Sequence, residues 1–133
     1  MKIKKYLTIS LLILTAVMVV LSGLMKAIQL PWSVNGLVKF NLPNAATTLG
    51  LMEMTLAVLF IFPKTMRIGF ILLSCYFAGA MATELSHDGS MLNPAVPLSL
   101  IWITAFLRDK YLFIGSLEPN LEIQNNNVNI MSE

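Results

Sequence analysis

Residues 47–63 read TTLGLMEMTLAVLFIFP, a run whose single ionisable side chain, Glu53, sits among Leu, Met, Phe, Ile and Val. At a rise of about 1.5 Å per residue, Glu53 lies some 15 Å from the Pro63 end of a helix, near its middle. An acid at the centre of a lipid-crossing helix costs roughly 2.5–3.5 kcal/mol on insertion scales. Such a group therefore turns towards other helices, where a cation, a hydroxyl or a ligand meets it. The rest of the chain decides whether those other helices exist.

The protein has 133 residues, 56% of them hydrophobic and 12% charged, against about 25% charged in an ordinary soluble domain. So little charge does not cover a soluble surface, and the partner it implies is the lipid bilayer. A formal net charge of +2, carried by scattered basic residues, gives no footprint for nucleic acid. Cys75 is the one cysteine, which excludes an internal disulfide and any CxxC pair.

A bilayer core of about 30 Å takes roughly 20 apolar residues in a helix. Four segments qualify as spans, at about 6–30, 45–62, 66–85 and 93–107. Asn44 is placed to cap the second, Pro63 to stop it, and Pro94 to open the fourth where its missing N–H costs nothing. All four are apolar on most faces, and none alternates with period two as a barrel strand would. The first segment, with its basic start and a Val-Leu-Ser run, has the outline of a signal peptide. Its apolar stretch is longer than an h-region and continues beyond that run, so it reads as a retained span. The expected fold is all-α, a transmembrane up-down four-helix bundle in one domain over residues 1–115. A flexible polar tail, with Asn125-Asn126-Asn127, is expected over 116–133.

Short-loop basic residues orient the spans. Lys2, Lys4 and Lys5, then Lys64 and Arg67, then Arg108 and Lys110 fall on one side; Lys26 and Lys39 fall on the other. Both termini are accordingly expected in the cytoplasm, in a bacterial cell (inner) membrane. Trp32 suits the outer interface, and Tyr6 and Tyr111 the inner one.

With that topology Lys26, Glu53, Glu84 and His87 share the outer half of the bundle, and Tyr76 lies at the depth of Glu53. Lys26 is the nearby cation whose flexible stem reaches inward, and Tyr76 the best-placed neutral donor. These five residues are the candidates for a polar core or ligand site. The alternative for Glu53 is a structural role in gluing helices together; for Glu84 and His87 it is simple solvation of a helix end. On the third span Ser74, Ala78 and Ala82, and beside them Cys75, Gly79 and Thr83, form small-residue columns that predict a packing hub. Gly50 would offer it a flat surface, while Tyr76, Ala80 and Glu84 make a third stripe. Nine methionines raise a Cu(I) site, but Met52 and Met54 point to opposite faces and read as apolar filling. Cys75 reads as a small buried hydrophobe. No metal site is expected, and no phosphate loop, zinc helix or nucleophile elbow occurs, so no catalytic residue is assigned.

SGLMK at 22–26, LGLME at 49–53, FPKTMRIG at 62–69, AGAMATEL at 78–85 and WITAFLRD at 102–109, taken in this order and spacing, resemble the DoxX-like family of small membrane proteins. The resemblance covers roughly residues 6–113. It implies a four-helix membrane bundle, and recurrent Lys and Glu positions that match Lys26 and Glu53. The family takes its name from a subunit associated with thiosulfate:quinone oxidoreductase.

Three functions follow as expectations. The first is a non-catalytic membrane component or subunit whose polar core around Glu53 fixes the bundle. The second is a redox-associated subunit holding a quinone or another small apolar molecule, alongside a redox partner subunit or as a homo-oligomer. The third is a small transporter, for which four helices are few unless the chain oligomerises. No cofactor motif is evident; a quinone is the one group the second reading brings.

Overall fold

The computed structural model describes residues 1–115 and 128–131; most of the segment expected to be a polar tail lies outside the described residues. The described chain is helical, without strands. Helices α1 (Lys2–Ala27), α2 (Pro31–Val38), α3 (Ala46–Ile61), α4 (Met66–Ser86), α5 (Leu92–Arg108) and the short α6 (Tyr111–Ile114) follow one another, with a 3₁₀ turn, Pro43–Ala45, leading into α3. Helix α1 packs on α3 and α5, and α4 packs on the same two helices, which closes a ring of four. Phe60 of α3, Leu73 of α4 and Ile101 of α5 are the largest apolar side chains sealed inside it.

The exterior is apolar as well. Ile13 and Leu21 of α1, Leu51 and Val58 of α3, and Ile68 and Ile71 of α4 all stand exposed, while Glu53, Thr15 and Thr104 are buried. Helices α1 and α4 are long and apolar enough to cross a membrane; α3 and α5 are apolar but shorter.

The first helix ends at Ala27 rather than near residue 30. Gln29 takes the left-handed conformation at φ 55°. The Leu30 N–H then donates to the Met25 carbonyl and the Gln29 N–H to that of Lys26. This is the Schellman closure, which satisfies the last carbonyls of a helix. The same closure ends α2, with Asn41 at φ 60° and the Leu42 N–H on the Leu37 carbonyl. The linker between α1 and α3 is thus partly helical. Asn44 makes no side-chain cap; it sits within the 3₁₀ turn that winds into α3 at Ala45.

The end of α3 is closed by another helix. Arg108, the last residue of α5, donates to the carbonyls of Phe60 at 2.7 Å and Ile61 at 2.6 Å. Beside it Arg67 donates to Asp109 at 3.2 Å. The end of α3, the start of α4 and the end of α5 therefore meet at one basic pole. The opposite pole, where α1 and α4 finish, carries α2.

Candidate functional site

The buried face of α3 is Gly50, Glu53, Leu56, Ala57 and Phe60, an i, i+3, i+4, i+7 stripe. Glu53 is on that stripe and is wholly buried. The Lys26 ammonium, in the last turn of α1, donates to Glu53 Oε2 at 2.5 Å, to Ser22 Oγ at 3.2 Å and to Tyr76 Oη at 3.4 Å. The Tyr76 hydroxyl, from α4, donates to the same Glu53 oxygen at 3.1 Å. Three helices thus converge on one carboxylate oxygen. Glu53 Oε1 has no hydrogen-bond partner among the described residues.

Two glycines set this geometry. A Cβ on Gly23 would stand 2.8 Å from the Gly50 carbonyl oxygen, and one on Gly50 would run into the Gly23 carbonyl and the Ala27 N–H. Helices α1 and α3 therefore meet backbone to backbone. Lys26 and Glu53 each follow their glycine by three residues, so the same contact brings the two charges onto one seam.

A cavity of about 570 Å³ adjoins the cluster on the α2 side, within the range of small-molecule sites. Ser22, Lys26 and Tyr76 form its floor. Leu49 and Met52 of α3 make one wall; Cys75, Gly79, Thr83 and Glu84 of α4 make another. Asn93, Pro94 and Pro97 of α5 close a third side, and Gly36, Leu37 and Phe40 of the α2 segment lie across the top. Pro97, inside α5, removes the N–H that would bond the Asn93 carbonyl, so α5 has one helix donor fewer where it faces the cavity.

The structure brings together Lys26, Glu53 and Tyr76, and places Glu84 in the wall of the adjoining cavity. His87 stands apart. Its Nδ1 pairs with the Thr83 carbonyl and Ser86 Oγ, each at 3.0 Å, and its ring meets Phe40 edge-on at 5.1 Å between centroids. It braces the α2 exit against α4.

The small-residue columns of α4 do not form a packing hub. Cys75, Ala78 and Gly79 are exposed, and a Cβ on Gly79 would meet nothing within 4 Å. The packing face of α4 is instead Met66, Gly69, Phe70, Leu73 and Phe77, with Gly69 pressed onto the backbone of Phe60. The smallness of Cys75 and Gly79 leaves room for the cavity. Cys75 is accordingly exposed rather than buried, and Gly50 faces α1, not α4.

Three polar contributors escaped the sequence reading. Ser22 precedes Lys26 by one turn, a spacing that would have identified it. Thr15 and Thr104 are sealed inside the ring 3.0 Å apart. The Thr15 hydrogen is committed to the Leu11 carbonyl, so Thr104 is the donor between them. Nothing local distinguishes these threonines from the outward-facing Thr8 and Thr55.

Chemically, the cluster presents ammonium and phenol groups to an apolar chamber. An ammonium has three donors, and the one on Tyr76 Oη is the longest of the three contacts, hence the one a guest acceptor displaces with least loss. The site suits binding and orientation of a polar head. Comparison with curated proteins and with solved structures finds no match. The model of the DoxX-like family, by contrast, matches residues 10–107, from the first half of α1 to the last turn of α5, and the chain belongs to that family.

Proposed function

We propose that this protein is a non-catalytic four-helix integral membrane component whose chamber beside Lys26, Glu53 and Tyr76 holds a small amphipathic molecule. The observation that carries the reading is the juxtaposition of an ion pair, its carboxylate fully buried and its ammonium partly exposed, with a chamber of about 570 Å³ walled mainly by apolar side chains. A polar cluster serving only as glue needs no adjoining space.

The lipid crossing rests on polarity. Large apolar side chains cover the outside while the acid is inside, the arrangement a hydrocarbon solvent favours. Helices α3 and α5, with 16 and 17 residues, span about 24–26 Å at the usual rise. They cross a core of about 30 Å with modest local thinning. The Lys and Arg distribution supports a cytoplasmic basic pole, with both termini on that side.

A quinone is one guest of this class, and the residues fit it. A ring carbonyl would accept from Lys26, and an isoprenoid chain would run along Leu49, Met52 and Phe77. When bound, the quinone supplies the redox chemistry; the chain's part is to hold the head and exclude water.

Cys75, in the chamber wall, reports occupancy. In phosphatidylcholine nanodiscs, a neutral single-chain amphiphile such as decanol or a decyl-quinone is expected to slow its alkylation by a neutral maleimide. Alkylation that no amphiphile slows would remove the proposal.

A further inference from the structure

Occupancy of the chamber is one matter and the charge of its occupant another. Lys26 is the one cation in the lining, and its charge is matched at 2.5 Å by the fully buried Glu53. An anionic head entering the chamber would have to compete with that carboxylate, and a displaced Glu53 would be left charged in a dry interior at large cost. The floor is polar but, counted as a pair, neutral.

The wall is not neutral. Glu84 lines the same chamber from the last turn of α4. Among the described residues its carboxylate has no Lys, Arg or His nitrogen within 4.0 Å, the two ion pairs being Lys26–Glu53 and Arg67–Asp109. One carboxylate oxygen lies against Gly89, where a Cβ would collide with it, and the side chain is only partly exposed. Lys39 and Asp88 near this pole are of opposite sign, exposed and outside the lining. The helix dipoles cancel: α1 and α4 end here, whereas α3 and α5 begin here. With Glu53 behind the floor counted against Lys26, the formal charge left to the chamber is that of Glu84, set among Phe40 and Phe77, whose ring faces favour cations.

We infer that the guest is a single-chain amphiphile with a cationic, amine-type head, paired by Glu84 and with its apolar body against Leu37, Leu49 and Met52. The inference rests on the proposed guest chamber and adds the sign of the guest. It gives Glu84 a binding role in place of helix-end solvation.

The test uses the whole chain in phosphatidylcholine nanodiscs and the alkylation rate of Cys75, with decylammonium, decanol and decyl sulfate compared at equal mole fraction in the bilayer. The ammonium is expected to protect at about tenfold lower mole fraction than decanol, as one charge-assisted contact allows, and decyl sulfate to protect least. Glu84→Gln is expected to bring the ammonium to the level of decanol. Equal protection by ammonium and decanol in the unaltered protein, or stronger protection by the sulfate, overturns the charge assignment while leaving the chamber in place. So does a Glu84→Gln variant that keeps the full preference. Protection by none of the three removes the chamber reading itself. The ranking in the unaltered protein needs no variant to fold.

Discussion

Gly23 and Gly50 touch through their backbones: the space for a Cβ on either is filled by the other's carbonyl oxygen. This contact lies one turn from the Lys26–Glu53 pair and fixes the separation of the helices that carry it.

Gly50→Ala should therefore push α1 from α3 and cost about 1–3 kcal/mol, the range for overpacking. Gly79→Ala, where a Cβ meets nothing within 4 Å, should be neutral or slightly stabilising, because alanine is the better helix former. Reversible unfolding of the two variants in mixed micelles checks the contrast. Equal effects would mean that the helix seam is not close-packed.

The two members of the ion pair should differ in their sensitivity. Lys26→Met leaves Glu53, wholly buried, without its cation, an arrangement that costs about 3–5 kcal/mol. Glu53→Gln leaves an ammonium whose side chain is 22% exposed and which turns into the chamber. The lysine variant should unfold first. The double variant, Lys26→Met with Glu53→Gln, should recover part of the loss; strict additivity of the two effects would argue against direct coupling.

At the basic pole, Arg108→Ala removes two charge-assisted hydrogen bonds to the last carbonyls of α3, with an expected cost of about 1.5–3 kcal/mol. Arg67→Ala breaks a pair whose arginine side chain is 65% exposed and should cost at most about 1 kcal/mol. Thermal unfolding ranks the pair.

Reporter fusions test the crossing number. A fluorescent protein at the N-terminus and one at the C-terminus should both light up in the cytoplasm, and a periplasmic phosphatase inserted after Asn35, in α2, should be active. Termini reporting opposite compartments would require an odd number of crossings and a different bundle.

How much of this was legible in the sequence depends on the residue. The apolar runs fixed four helix positions to within a few residues, because hydrophobic length is a direct signal. The polar trio was legible because Lys, Glu and Tyr inside apolar runs have few places to go. The α2 helix was not, since PWSVNGLV mixes turn formers with apolar residues and only its Schellman closure at Asn41 reveals the fold. The faces of α4 were misread for a physical reason. Small residues at spacing four fit a tight helix contact and a cavity wall equally well, and only the position of Phe60 against Gly69 chooses between them. The link between Arg108 and the end of α3 joins residues 48 apart in sequence, beyond any local pattern.

The place of Glu53 bears on how the protein is made. Its cation belongs to a helix that precedes it in the chain, so during synthesis the lysine is already waiting when the acid leaves the ribosome. On the proposed four crossings, α1 and α3 enter the bilayer as a prepaired unit, and moving the gene segment for α1 behind the others would send the acid into hydrocarbon without an escort.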